Sequence, residues 1–163
     1  MLRTVIVEAW YPRDPDALFA ELCDLAEMKE AMARIAHYEG LPERPVKEGD
    51  RFSVDVTLYG FIKTRDHVME VERLDVPGRL IQSREHNPQV RRWDHTLTVE
   101  PEGDGALWRD LVVLDAGWQT PLTARFCRHV YGHRHRTRGA DRITRRILRG
   151  DRATPLHSVP AEG

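Results

Sequence analysis

Residues 128–138 read RHVYGHRHRTR, three histidines and four arginines in eleven positions. Such a stretch is a metal site, a strip for gripping nucleic acid, or one face of a helix that covers a cavity. The choice decides the fold. The surrounding residues predict a helix from about Pro121 to Arg149, about 43 Å long if unbroken, with Gly132 and Gly139 as points where it weakens or bends. On a wheel of about 100° per residue centred on Leu122, Phe126 falls near 40°, His129 near −20°, His133 near 20° and Ile147 near −20°. Arg128, Arg134, Arg138, Arg142, Arg145, Arg146 and Arg149 fall on the opposite side. The expected helix therefore turns His129 and His133 toward the rest of the protein and its arginines toward water.

The chain has 163 residues, of which 40% are hydrophobic and 31% charged, the composition of one soluble domain. Its net charge of −1 hides a split: Pro121–Arg149 carries nine arginines against Asp141, a net +8, and leaves −9 elsewhere. That pattern fits an anionic partner or two parts of one protein that attract each other. No apolar run approaches the roughly 18 residues of a membrane span. The start, MLRTVIVEAWYP, lacks the apolar core of a secretory signal. Cys23 and Cys127 fit no metal or redox spacing, so the expected setting is a reducing one, the cytoplasm.

Upstream of the helix the chain reads mostly as strands. Leu2–Trp10 is a strand, stopped by Pro12. Asp14 then caps a helix with Pro15 at its first position, running to about residue 30, with a break near Leu25 that would make two short helices. Ala33–Glu39 is a further strand. In Arg51–Tyr59, Phe52, Val54, Val56 and Leu58 alternate with polar residues and predict an apolar wall. Phe61–Leu74, Arg79–Glu85, Arg91–Glu100 and Leu107–Asp115 follow, separated by turns at Pro77-Gly78, Asn87-Pro88 and Glu102–Gly105. The expectation is one α+β domain over residues 1–149: a curved antiparallel sheet of about seven strands wrapped around a long C-terminal helix, with one or two short helices after the first strand. Residues 150–163 are expected to form a mobile tail.

A curved sheet held against one helix leaves a gap suited to a small molecule. The strand Arg91–Glu100 turns Trp93, His95, Leu97 and Val99 to one face. Trp93 and His95 carry polar tips that need partners. With Phe126, His129 and His133 across the gap they form the polar points of an otherwise apolar pocket. In Leu107–Asp115 both faces are apolar, so either Asp110 or Arg109 points inward. His129 and His133 are spaced i, i+4, as two ligands of one metal ion would be, but HVYGH lacks the glutamate of an HExxH helix, and hydrogen-bonded histidines are the favoured reading. Nucleic acid is disfavoured because no aromatic residues interleave with the arginines. Neither a metal nor a cofactor is implied.

Several pieces resemble the START/SRPBCC superfamily, the helix-grip fold. VKEGDRFSVDV is similar to its glycine turn before the third strand, and RLDVPGRLIQSRE to the turn before the fifth. NPQVRRWDHTLTVEPEGDGALWRDLVVLD resembles the paired strands of its ligand-binding branch. FCRHVYGHRHRTRGAD resembles that branch's helix, an aromatic followed by R-H-R and an acid: Phe126, Arg134, His135, Arg136 and Asp141. The sequence departs from the family where AEMKEAM replaces a WPE-like signature and Asn87-Pro88-Gln89 replaces glycine-proline-aromatic. The resemblance implies a module that binds an apolar or aromatic small molecule. Alternatively it implies a relative of polyketide cyclases and dehydratases with His95 or His133 as the acid–base group, supported by Arg109 or Asp110.

Overall fold

Alternation in the sequence becomes a single sheet. The computed structural model describes residues 1–152, in the order β1 (Arg3–Tyr11), α1 (Pro15–Leu22), α2 (Leu25–Met32), β2 (Ala36–Glu39), β3 (Arg51–Leu58), β4 (Ile62–Asp75), β5 (Leu80–His86), β6 (Arg92–Glu102), β7 (Gly105–Asp115), α3 (Thr120–Thr137) and β8 (Arg142–Arg149). The eight strands form one open antiparallel sheet ordered β2-β3-β4-β5-β6-β7-β1-β8. Register shifts between Val54 and Val56 and between Val71 and Arg73 place irregularities where strands bend most readily. No helix among the described residues is long and apolar enough to cross a membrane.

Two aspartates make two helices out of one hydrophobic run. Asp14 Oδ1 accepts from the Ala17 N–H at 2.8 Å, and Pro15 opens α1. Asp24 Oδ1 accepts from the Ala26 N–H at 2.9 Å and starts α2 afresh. Leu18, Phe19 and Leu22 of α1 are buried against Ala9, Tyr11, Val99 and Trp108 of the sheet. Burying a side chain of that size stabilises by about 1.5–3 kcal/mol. α2 packs with β2 and β3 around Met32, Ile35 and Leu58, and Phe126 and Val130 of α3 close that cluster from above.

The last helix is shorter than its sequence predicts. α3 stops at Thr137, where Gly139 adopts φ +74°. The Gly139 N–H bonds to the Arg136 carbonyl and the Ala140 N–H to the His135 carbonyl, each at 3.1 Å, the two bonds of a Schellman stop. Residues 142–149, expected as helix, are the eighth strand and pair with β1 from Arg3↔Arg149 to Trp10↔Arg142. Ile143 and Ile147 pack on the core in this form. A spacing of four satisfies a helical turn and a strand face equally, which is why this pattern misleads.

The inward face of α3 also differs from the expected one. Leu122, the assumed centre of the buried stripe, is 69% exposed, whereas Ala124, Cys127 and His135 are buried. The helix is rotated so that Cys127, Tyr131, Arg134 and His135 meet the sheet and cavity, and His129 is exposed. Arg134 and Arg138, expected in water, lie over the ring of buried Trp108. Polar partners on the sheet outweigh the apolar stripe. Of the tail predicted over 150–163, the first residues are anchored: Gly150 N–H bonds to Leu2 O at 3.0 Å and Arg152 N–H to Thr4 Oγ1 at 2.9 Å. Residues 153–163 lie outside the described part of the chain.

Candidate functional site

Between β3–β6, α2 and α3 lies a cavity of about 230 Å³. Its walls are mostly apolar: Met28 and Met32 from α2, Val56 and Leu58 from β3, Met69 from β4, and Phe126 and Val130 from α3. Polar side chains enter at separate points, among them His67, Glu85, Asn87, His95, Tyr131 and Arg134.

The strand β7 settles which of its faces is inward. Asp110 is 1% exposed and points beneath the helix, whereas Arg109 bonds to Glu8 at 2.8 Å on the other face. The Asp110 carboxylate accepts two hydrogen bonds, from His95 Nε2 at 2.8 Å on one oxygen and from His135 Nε2 at 3.0 Å on the other. Burial alone would raise its pKa, but the bonds from His135 and His95 hold the carboxyl well below its ordinary range. Asp110 is therefore the acceptor in both bonds, and each ring presents an N–H at Nε2. His135 Nδ1 takes the hydroxyl of Tyr11 at 2.7 Å. His95 Nδ1 has only the Tyr131 hydroxyl, at 3.5 Å, the outer limit of a hydrogen bond. The chain Tyr11–His135–Asp110–His95 thus begins in the core and ends at the His95 ring beside the cavity. Burial raises the pKa of Tyr131 well above its usual value, so its phenol remains a donor.

A second pair stands on neighbouring strands. His67 Nε2 donates to Glu85 Oε2 at 2.9 Å, Ser83 Oγ donates to Glu85 Oε1 at 2.7 Å, and the Asn87 amide meets His67 Nδ1 at 3.1 Å. Burial pushes Glu85 up, but the bond from His67 and the charges of His67 and His95 keep it below its ordinary value.

Of the residues singled out in the sequence, Val56, Leu58, Trp93, His95 and Phe126 line the cavity. Phe52 and Val54 pack beneath α2 around Leu25 and Leu41, and Leu97 packs under α1. His129 and His133 are not in the wall: His129 Nε2 meets the Tyr59 hydroxyl at 2.6 Å, and His133 Nε2 meets Thr137 at 3.2 Å. Among the described residues no three His, Cys, Asp or Glu side chains are grouped to hold a metal ion. Sequence reasoning passed over Tyr131, Arg134, His135, His67 and Glu85. The one signal for Arg134 and His135 was the R-H-R resemblance, which the wheel set on the wrong side.

Burial lowers the pKa of His135 below its usual 6.5 despite the opposing pull of Asp110. The sign follows from linkage: the unfolded chain binds this proton at a higher pH than the folded one, so stability is complete above about 6.5 and declines as pH falls below it. Urea unfolding from pH 8 to pH 5 is expected to show this decline, and His135→Gln to remove most of it. An equal decline in the variant would assign the effect elsewhere.

No protein-family model and no curated protein sequence matches the chain. Solved structures do. A START superfamily protein from Mycobacterium smegmatis superposes with a TM-score of 0.64 at 12% identity, covering 83% of this chain and 93% of that one. The Chromobacterium violaceum protein CV1439 gives 0.65 at 12% identity over 83% and 94%, and TTHA0849 from Thermus thermophilus gives 0.60 at 16% over 82% and 90%. These likenesses and the sheet gripping α3 define the fold: the chain has a helix-grip fold, like that of the START superfamily protein it superposes on.

Proposed function

We propose that the protein binds an apolar or aromatic small molecule in the cavity between the sheet and α3. The supporting observation is the cavity itself, about 230 Å³ of space with a mainly hydrocarbon wall and a few polar side chains set into it. An engineered cavity of roughly 150 Å³ holds benzene, so this one accommodates a ligand of one or two rings. The fold is one in which a START superfamily protein is found. A reducing, cytoplasmic setting suits the two free cysteines, Cys23 and Cys127. Thermal unfolding with a panel of aromatic, lipid and polyketide-like compounds is expected to reveal stabilising ligands, each raising the transition by about 2.7 kcal/mol when present at a hundred times its dissociation constant. A panel without a single shift argues against a receptor.

A second reading, an enzyme like the polyketide cyclases and dehydratases, is favoured by one feature. His95 lines the cavity with its Nε2 held by Asp110 at 2.8 Å and its Nδ1 engaged only by the Tyr131 hydroxyl at 3.5 Å. That arrangement suits removal of a proton from carbon, with Asp110 stabilising the imidazolium that forms and the Tyr131 hydroxyl available as donor to the developing oxyanion. His95→Gln is then expected to lower cyclisation or dehydration by about 10²–10⁴-fold, the usual worth of a general base, with the fold intact. Unchanged turnover removes His95 from the scheme.

A further inference from the structure

The buried charges around the cavity pair off, with one left over. Both oxygens of Asp110 are taken by histidines, and both of Glu85 by His67 and Ser83. Glu21 and Glu27, which face α3 from α1 and α2, are engaged by Arg138. Arg134 is only 7% exposed and lines the cavity, yet among the described residues no carboxylate lies within salt-bridge distance and no acceptor hydrogen-bonds its guanidinium. Its Nε is fully enclosed and without a partner. The guanidinium carbon rests 4.7 Å from the centre of the Trp108 ring, whose π face attracts the cation but accepts none of its N–H groups in-plane. A buried cation left this way is costly unless something supplies the missing acceptor.

We propose that Arg134 is the anchor for a carboxylate on the ligand, so that the class of molecule bound is a small aromatic or alicyclic carboxylic acid. This rests on the receptor reading above and narrows it. The planar fork of a guanidinium matches a carboxylate in two parallel bonds, and the stacked ring of Trp108 holds the fork in place. The remaining wall, Met32, Leu58, Phe126 and Val130, takes the hydrocarbon body. Tyr131, one helical turn before Arg134, also lines the cavity, with its hydroxyl 3.5 Å from His95 Nδ1.

Calorimetric titration with 2-naphthoate and its neutral isostere 2-naphthamide separates the possibilities. The wild-type protein is expected to bind the acid at least about tenfold more tightly than the amide, since a charge-assisted bond contributes on that scale. Arg134→Gln is expected to bring the acid down to the affinity of the amide, and Arg134→Lys, which keeps the charge without the fork, to retain an intermediate preference. Equal binding of acid and amide by the wild type, or a preference that survives in R134Q, overturns the anchor while leaving the receptor reading intact. Binding of neither compound overturns both. The wild-type comparison needs no variant to fold.

Discussion

Replacing Asp110 with alanine is expected to destabilise the protein by about 2–6 kcal/mol, because each of two buried imidazole N–H groups loses its acceptor at about 1–3 kcal/mol. Asp110 sits on the central part of the sheet and joins β7 to β6 through His95 and to α3 through His135. His135 has no ready substitute partner, since it is fully buried and its other nitrogen already holds Tyr11. Asp110→Asn is expected to cost less. Its oxygen can still accept one bond, but its amide group donates where the second histidine also donates, so one ring must move its proton to Nδ1. Urea unfolding of both variants checks the order. A loss below about 1 kcal/mol for the alanine variant means that water or a shifted side chain replaces the carboxylate.

The second large effect is expected at Trp108. The ring is fully buried, stacks with Tyr11 at 6.1 Å between centroids, meets His135 edge-on at 4.6 Å and carries the guanidinium carbons of Arg134 and Arg138 at 4.7 and 4.9 Å. Trp108→Ala opens a core cavity, a change that costs about 3–5 kcal/mol, and removes two cation–π contacts of about 0.5–2 kcal/mol each. For a chain of this size the melting temperature falls by about 2–4 °C per kcal/mol. Trp108→Leu restores part of the volume without the π face, so the difference between the two variants apportions packing and cation attraction. Equal losses in the two variants indicate that volume contributes little here.

Much of the fold is legible from the residues because strands with one wet face write their alternation plainly. Phe52, Val54, Val56 and Leu58 do so in β3, and Trp93, His95, Leu97 and Val99 in β6, where alternation alone sets the side His95 occupies. Asp14 with Pro15 likewise announces a helix. Two features were hidden. The segment RITRRILR carries isoleucines four apart, a spacing that both a helix and a strand satisfy, and only the glycine before it decides. In α3 the apolar residues Leu122, Phe126 and Val130 define a stripe, but the buried face is centred on Cys127, Tyr131 and Arg134. A helical wheel weighs each side chain against water alone. It cannot register that Asp110 waits for His135, or that the ring of Trp108 accepts two guanidinium groups, because those partners lie on a strand far off in the chain. The cavity's polar points are therefore the least legible part: each is polar by its own nature and buried by virtue of a neighbour that only the folded chain supplies.

The pairing of β1 has a kinetic consequence. Arg3 is matched with Leu114 on one side and with Arg149 on the other, so β1 is flanked by β7 and β8, the strands farthest from it in sequence among the described residues. During synthesis it waits, its apolar residues Val5 and Val7 uncovered, until nearly the whole domain has emerged. Closing such long loops before any reward is slow, so folding is expected to proceed from the consecutive β3–β7 ribbon, with insertion of the first strand as the late step that commits the molecule.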